Sequence, residues 1–403
     1  MKKTLYSLFT VLVVILMLFA LTACGAANDE EPAAEEPAAE EAEATEGHTV
    51  TDYNGNVIEL PDEIDYVCPG VNSMSQITAM LGGADKIVAA GNDIRNNDFF
   101  KKVFPAFDPQ YGNDNVEDVL ASGAQVVYGP MKDDNLIAQY EAAGIPFVYV
   151  GGLSSIEEMM QTISIIGDIL GGDAPEKAQV FIDYFYKSLA EIQEKTDAIP
   201  EDEKVRVAPL SYREGSYSIG SASNMQNSYL AAVGGKLCDA STTENSINVE
   251  DLIAFDPEVI FCFANNYDDI VNAVDLQNVS AIVNGRVYVI PSGTFGWGVN
   301  NAEAAGMAPL YYAKCMYPDL FEDVDMIAKT QEFYKTFYDY DLSDEDAELV
   351  LSGTTFGQGV GGGGGAPGGG APGGGAPGGA PGGAPGGAPG EGQGGAPGGN
   401  GGN

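Results

Sequence analysis

DAPEKAQVFIDYFYKSLAEIQEKT, residues 173–196, reads as one long helix on which the rest of the chain is arranged. Asp173 is placed to cap its start, Glu176 follows three residues on in a capping-box relation, and Pro175 is tolerated in the first turn. Ala178, Phe181, Phe185, Leu189 and Ile192 recur at spacings of three and four, which gathers them into one apolar stripe. The helix is expected to stop near Ile199 and Pro200. At 1.5 Å per residue the rod is roughly 36 Å long, enough to cross one small domain and touch a second.

Similar text stands on either side of the rod. VEDVLA at 116–121, followed by QVVY at 125–128, is answered by VEDLIA at 249–254 and EVIF at 258–261. ITAMLGG at 77–83 is echoed by YLAAVGG at 229–235, and FVYV at 147–150 by VYVI at 287–290, always in the same order. Two copies of one unit are the economical reading. Within the first copy, short apolar strands at 64–68, 87–89, 125–128 and 147–150 alternate with helices at 73–81, 116–121, 135–143 and 156–170, preceded by a hairpin at 49–60. Strands at 205–210, 259–263 and 287–290 and helices at 225–233 and 249–254 repeat the alternation. The expected fold class is therefore α/β: two similar parallel-sheet lobes joined by a single long spanning helix, with the ligand cleft between the lobes. Residues 91–112 and 211–224 read as polar loops, and helices at 302–315, 325–338 and 343–351 are expected to pack on the outside.

Both ends of the 403-residue chain are unfit for a core. Residues 1–24 carry Lys2 and Lys3, an apolar run, and then LTAC, which resembles the lipobox of bacterial lipoproteins and would make Cys24 the lipidated terminus. An uncleaved membrane anchor is the alternative, and either reading puts the mature domain outside the cytoplasm. Residues 25–47 are an acidic Ala/Glu/Pro spacer without an apolar face, and 357–403 are a Gly/Ala/Pro tail with almost nothing to bury. The organisation expected is a signal peptide at 1–24, the spacer at 25–47, a first lobe at 48–172, the connecting helix at 173–199, a second lobe with outer helices at 200–356, and the tail at 357–403.

The formal net charge is −41 at pH 7, so nucleic acid and other polyanions are repelled at long range. The one histidine, His48, stands where the spacer meets the fold, so neither a histidine-rich zinc or manganese site nor a histidine-based hydrolase can be assembled. Cys68, Cys238, Cys262 and Cys315 match no metal spacing, and sequence alone leaves disulfides and buried thiols both open. Carboxylates are plentiful enough for a carbohydrate-active enzyme, but no spacing singles out a catalytic pair. Only the Gly/Pro tail points to an adhesin.

The lipobox, the two α/β lobes, the spanning helix and the phrases VEDVLASGAQVVY and VEDLIAFDPEVIF together resemble the substrate-binding lipoproteins of ABC importers for ferric siderophores, haem and cobalamin. NGRVYVIPSGTFGWG at 284–298, YPDLF at 317–321 and FYKTFYDYDL at 333–342 are similar to the iron-complex subgroup. The resemblance covers about residues 48–351. It implies a monomer on the extracytoplasmic face of the membrane that captures a small-molecule metal complex, ferric siderophore-like or corrinoid, and hands it to an ABC permease without catalysis or a resident cofactor. A relative of the subgroup handles molybdate or tungstate, so an oxyanion is the alternative cargo. Family members commonly dock through a glutamate on the first helix of each lobe. The corresponding positions here are Gln76 and Ala231, a departure that puts docking through that pair in doubt.

The loops that follow strand ends hold the candidate ligand-binding residues Arg95, Lys132, Arg213, Tyr217, Tyr267 and Trp297. Arg95 and Arg213 are two of only four arginines, one in each lobe, and a guanidinium fork suits carboxylate, phosphate or oxyanion recognition. Pairing with local acid is the competing role. Trp297, set between Gly296 and Gly298, either stacks on a flat ligand or anchors the core.

Overall fold

The computed structural model describes residues 48–130, 133–220, 224–238 and 246–355. Cys24, the spacer, Lys132 and the tail lie outside the described residues. In the first lobe the order is β1 (Thr49–Thr51), β2 (Val57–Glu59), β3 (Val67–Pro69), α1 (Asn72–Thr78), β4 (Ala89–Ala90), β5 (Tyr111–Gly112), α2 (Val116–Ser122), β6 (Val126–Gly129), α3 (Asp134–Ala142), β7 (Phe147–Tyr149) and α4 (Ile156–Leu170). The rod, α5 (Ala174–Thr196), follows. The second lobe holds β8 (Arg206–Pro209), β9 (Ser211–Arg213), β10 (Ser216–Ser218), α6 (Met225–Ala232), β11 (Lys236–Leu237), β12 (Ser246–Ile247), α7 (Val249–Phe255), β13 (Val259–Cys262), α8 (Ser280–Val283) and β14 (Val287–Val289). Three longer helices close the chain: α9 (Ala302–Met316), α10 (Met326–Tyr338) and α11 (Asp344–Leu351).

The two sheets are built alike. β6 runs parallel to β3 and β7, and a parallel bridge from Val67 to Ile87 brings the β4 strand to the free side of β3. In the second lobe β8 lies between β11 and β13, with β14 beyond, all parallel. Taken in chain order, β3, β4, β6 and β7 in the first lobe and β8, β11, β13 and β14 in the second both read 2-1-3-4, with β5 added in parallel beside β4 in the first lobe, so the repeat seen in the text is a repeat of topology. The central strands β6 and β13 are buried at every position, as parallel strands covered on both faces require. The matching helices α2 and α7 even share their cap. Asn115 Oδ1 accepts from the Asp118 N–H at 2.8 Å and Asn248 Oδ1 from the Asp251 N–H at 2.7 Å, while each asparagine amide donates to that aspartate's Oδ2.

The stripe on the rod is buried throughout: Ala178, Phe181, Phe185, Leu189 and Ile192 all face inward. Its start differs from expectation, because Asp173 caps no N–H with its side chain and instead pairs with Lys177 at 3.0 Å.

The largest revision concerns α9, which does not lie outside, whereas α10 and α11 pack on the outside with one face exposed. α9 is apolar or small nearly all round, from Ala302 through Met307 and Ala308 to Ala313, and is buried along most of its length in the core both lobes share. α10 sets Phe337 on Phe181 of the rod, ring centres 5.2 Å apart, and Tyr338 on Phe104 of the first lobe at 5.0 Å. Lys102 pairs with Asp346 of α11 at 2.7 Å. The rod is thus the covalent tie between lobes but not the only contact. One continuous core runs from Met74 and Ile77 through Phe181 to Val207, Trp297 and Tyr334, and smaller clusters fill the far face of each sheet.

Both expected loops contain structure. Residues 91–112 fold into helices Asn92–Arg95 and Asp98–Val103. Asn97 Oδ1 caps the second by accepting from the Phe100 N–H, and Phe99, Phe100 and Val103 are buried. Residues 211–224 hold the β9–β10 hairpin, turned at Glu214 and Gly215, both at positive φ (50° and 88°). Such a turn is favoured because its twist matches that of the flanking strands.

Candidate functional site

The 2-1-3-4 order makes the strand connections part on opposite sides between β3 and β6 and again between β8 and β13. Ligands bind at such switch points, beyond the carboxyl ends of the strands. In the first lobe this places the turn after β3, with Gly70 and Asn72, beside the short helix that ends at Arg95. A side chain on Gly70 would be crowded, since a Cβ there would stand 3.0 Å from the Tyr128 carbonyl oxygen. Asn113 Nδ2 ties the far edge by donating to the Pro69 carbonyl at 2.8 Å. Arg95 Nη2 donates to Asn92 Oδ1 at 3.0 Å, while its buried Nε and the buried Asn72 Oδ1 meet no hydrogen-bond partner. Buried polar atoms are rarely left so, and at a strand-end crevice they are groups that a ligand can satisfy. No described carboxylate comes within ion-pair distance of Arg95. Asp114 Oδ2 and Asp118 Oδ2 do share its neighbourhood, since both, like Arg95 Nη2, lie within 3.7 Å of where a Cβ on Gly112 would be.

In the second lobe Arg213 stands exposed at the end of β9, opposite Ser216, and forms no ion pair with a described residue. Tyr217 is more enclosed than a free recognition group, being 7% exposed. Its hydroxyl donates to Asp275 Oδ1 at 3.1 Å, its ring sits 5.1 Å from that of Tyr212, and burial with the Asp275 bond pushes its pKa up to about 12. Tyr267 opens a short helix after β13, half-buried on the second lobe's own cluster, and Asn266 Nδ2 stitches this turn to the hairpin through the Tyr212 carbonyl. Tyr212, Tyr217, Asp268, Asp269 and Asp275 line a depression of about 460 Å³.

Trp297 is not at the cleft surface. It is fully buried, with ring contact to Tyr311, and its Nε1 donates to Glu303 Oε1 at 2.9 Å, so it anchors the core and cannot stack on a ligand. Sequence reasoning missed what surrounds it. Glu303, in the first turn of α9, is completely enclosed. Oε1 also accepts from the Tyr334 hydroxyl at 2.9 Å; Oε2 accepts from the Thr294 N–H at 2.9 Å, the Thr294 hydroxyl and the Tyr338 hydroxyl. Burial pushes the Glu303 carboxyl above the usual carboxylate range, and the donors oppose that; the Tyr334 and Tyr338 hydroxyls are driven well up by burial and by the carboxylate. The available signal was a lone acid in the small-residue run AEAAG at 302–306.

Gln76, at the position expected for docking, is also buried. Its Nε2 donates to the Tyr338 hydroxyl at 2.7 Å and its Oε1 accepts from the Ala302 N–H at 3.2 Å, so it faces the other lobe and not a partner. The candidate set therefore falls into separate places: Arg95 at the first lobe's strand ends, Arg213, Tyr217 and Tyr267 on the second lobe, and Trp297 inside. Cys68, Cys262 and Cys315 form no disulfide, and burial pushes each thiol up to about 12. Among the described residues no helix is long and apolar enough to cross a membrane.

Comparison with known proteins agrees with this architecture. The molybdate-binding protein MolA of Haemophilus influenzae is 25% identical over 146 residues, 35% of this chain and 40% of that protein's length. Among solved structures, a periplasmic solute binding protein from Veillonella parvula superposes with a TM-score of 0.66 at 23% identity, covering 76% of this chain and 99% of that one. MolA bound to molybdate gives 0.63 at 17% identity over 73% and 99% of the two chains. The triscatecholate siderophore binding protein FeuA from Bacillus subtilis gives 0.56 at 16% identity over 67% and 98%. A family model described as periplasmic binding protein matches residues 71–294, more than half of the sequence, and the chain belongs to that family of two-lobed solute-binding proteins.

Proposed function

We propose that this protein is the extracytoplasmic substrate-binding component of an ABC importer, a carrier without catalytic activity, and that it captures an anionic metal complex between its lobes. The observation that carries the reading is Arg95, whose Nε is buried without a partner at a strand-end crevice in a chain of net charge −41. A strongly acidic protein retains an anion only where a guanidinium locally reverses the field. Asp114 and Asp118 close by favour a larger complex, with hydroxyl or amide donors of its own, over a bare oxyanion resting on Arg95 alone. Molybdate is the second reading, supported by the likeness to MolA.

Calorimetric titration with a ferric tris-catecholate, a corrinoid and molybdate separates the two. With the ligand that binds, Arg95→Ala is expected to cost about 1.5 to 3 kcal/mol, roughly ten- to hundredfold in affinity, and Arg213→Ala to weaken the same ligand. Unchanged affinity in both variants would move the site away from the arginines.

The repeat also supplies a docking face to replace the buried Gln76. Glu117 and Glu250 occupy equivalent exposed positions in the first turns of α2 and α7, beside Leu120 and Ile253, themselves 38% and 41% exposed. One acid on each lobe suits a permease built from two like halves with basic loops. Reversing both charges, Glu117→Lys with Glu250→Lys, is expected to slow association with permease-containing vesicles by about tenfold at low salt while ligand affinity holds. Association at the parent rate would exclude this face.

A further inference from the structure

We propose that Gln76 and Glu303 are positioning residues that fix the buried wall behind the second-lobe strand ends against the first lobe. This wall is the 291–301 segment, buried from Pro291 to Gly298 and so a backing layer and not an open surface, which leaves the carboxyl end of β14 and runs into α9. It carries no regular structure of its own beyond a bridge between Ser292 and Gly296, so its shape is set by what holds it. Three ties do so. Thr294 in its middle gives both its N–H and its hydroxyl to Glu303, Trp297 gives its indole N–H to the same carboxylate, and Asn301 Nδ2 closes the far end by donating to the Gly296 carbonyl at 2.8 Å.

Each carboxylate oxygen faces one donor that cannot turn away: the Trp297 N–H on Oε1 and the Thr294 N–H on Oε2. An amide at this position would set an NH₂ against one of them in either orientation. Two acceptor oxygens therefore suit the site and glutamate supplies them, although the Thr294 N–H also reaches the Tyr334 hydroxyl oxygen at 3.1 Å. The cage does not stop at the second lobe. Tyr338 donates to Glu303 Oε2 at 3.3 Å and accepts from Gln76 Nε2 at 2.7 Å, and Gln76 Oε1 satisfies the Ala302 N–H, an otherwise open donor at the start of α9. A side chain of α1 thus caps a helix of the opposite lobe. Carboxylate, tyrosine and glutamine form one buried chain from the wall to the helix that opens the first-lobe crevice at Asn72. A buried network of this kind, with its donors and acceptors matched, specifies one arrangement of the parts it joins.

The inference rests on the cleft being the ligand site, so its test reads the lobes without ligand as well as with it. Amide hydrogen exchange on the full chain is compared for the parent, Gln76→Leu and Tyr338→Phe. Substitution in the first lobe is expected to speed exchange at Ala302 and Thr294 in the second by about tenfold or more, the factor for losing one hydrogen bond, with β13 amides unchanged. Gln76→Glu, which sets a second carboxylate into the Glu303 chain, is expected to loosen the same amides further at neutral pH. Faster exchange confined to the wall and α9 supports the proposal; exchange unchanged there, or raised equally in β13, overturns it. Affinity for whichever of the ferric catecholate, corrinoid or molybdate the parent binds is expected to fall in step with the exchange. A parent that binds none of them counts against the cleft reading and leaves the exchange result standing.

Discussion

Phe181→Ala is expected to lower the unfolding free energy by about 3 to 5 kcal/mol, the usual cost of removing a buried phenylalanine, and to do so in a single transition. Phe181 is fully buried on the rod, and its ring meets Phe333 and Phe337 of α10 at 6.5 and 5.2 Å. Those two rings belong to the second lobe's terminal helices, while Ala174, Pro175 and Ala178 in the rod's first turns pack on Gly167 of α4 in the first. The cavity would therefore open in the core that both lobes share. Urea denaturation followed by circular dichroism checks it, with Val180→Ala, one residue away but 52% exposed, as a control expected within about 0.5 kcal/mol of the parent. Two separated transitions, or a loss below about 1 kcal/mol, would show that the lobes stand apart.

Gly293→Ala is the second large effect. A Cβ on Gly293 would overlap Glu303 Oε1 and the Tyr334 hydroxyl. The carboxylate has no vacant space to enter, because Glu303 is wholly buried and bound on both oxygens. Pushing it aside strips the Trp297 N–H of its acceptor, and because the same Cβ displaces the Tyr334 hydroxyl, the other acceptor of the Thr294 N–H at 3.1 Å, that N–H is stripped as well; at about 1 to 3 kcal/mol each, a loss of about 2 to 6 kcal/mol is expected. Gly296→Ala in the same segment meets only Val299, at 3.8 Å, and is expected to be near neutral. Equal stability of the two variants in denaturant titration would mean that the cage gives way without cost.

The parts of the fold that were legible in the sequence were those with a local period. The rod declared itself because five apolar residues at helical spacing must share a face. The lobes declared themselves because the same phrases recur in the same order. α9 was misplaced for the opposite reason: a helix of small and apolar residues all round has no polar face to show which side meets water, and its Ala-rich text resembles a loosely packed outer helix. The β9–β10 hairpin hid behind Glu214 and Gly215, since glutamate is an uncommon residue at positive φ. Arg95 was read on the segment that follows β4, where it stands, but nothing local foretold the short helix that carries it or the unpaired Asn72 Oδ1 beside it. The bond from Gln76 to Tyr338 joins residues 262 apart in the chain, and no periodicity encodes a polar contact of that reach.

The seat of Trp297 has a practical consequence for spectroscopy. It is the only tryptophan in the chain, so ultraviolet excitation at the red edge isolates one indole, sealed from solvent and hydrogen-bonded to a carboxylate. Its emission reads the integrity of the cage and the melting of the core, and not the occupancy of the crevice at Arg95. A flat fluorescence titration is therefore compatible with tight binding, and a shift on adding ligand would mean that the wall itself had moved.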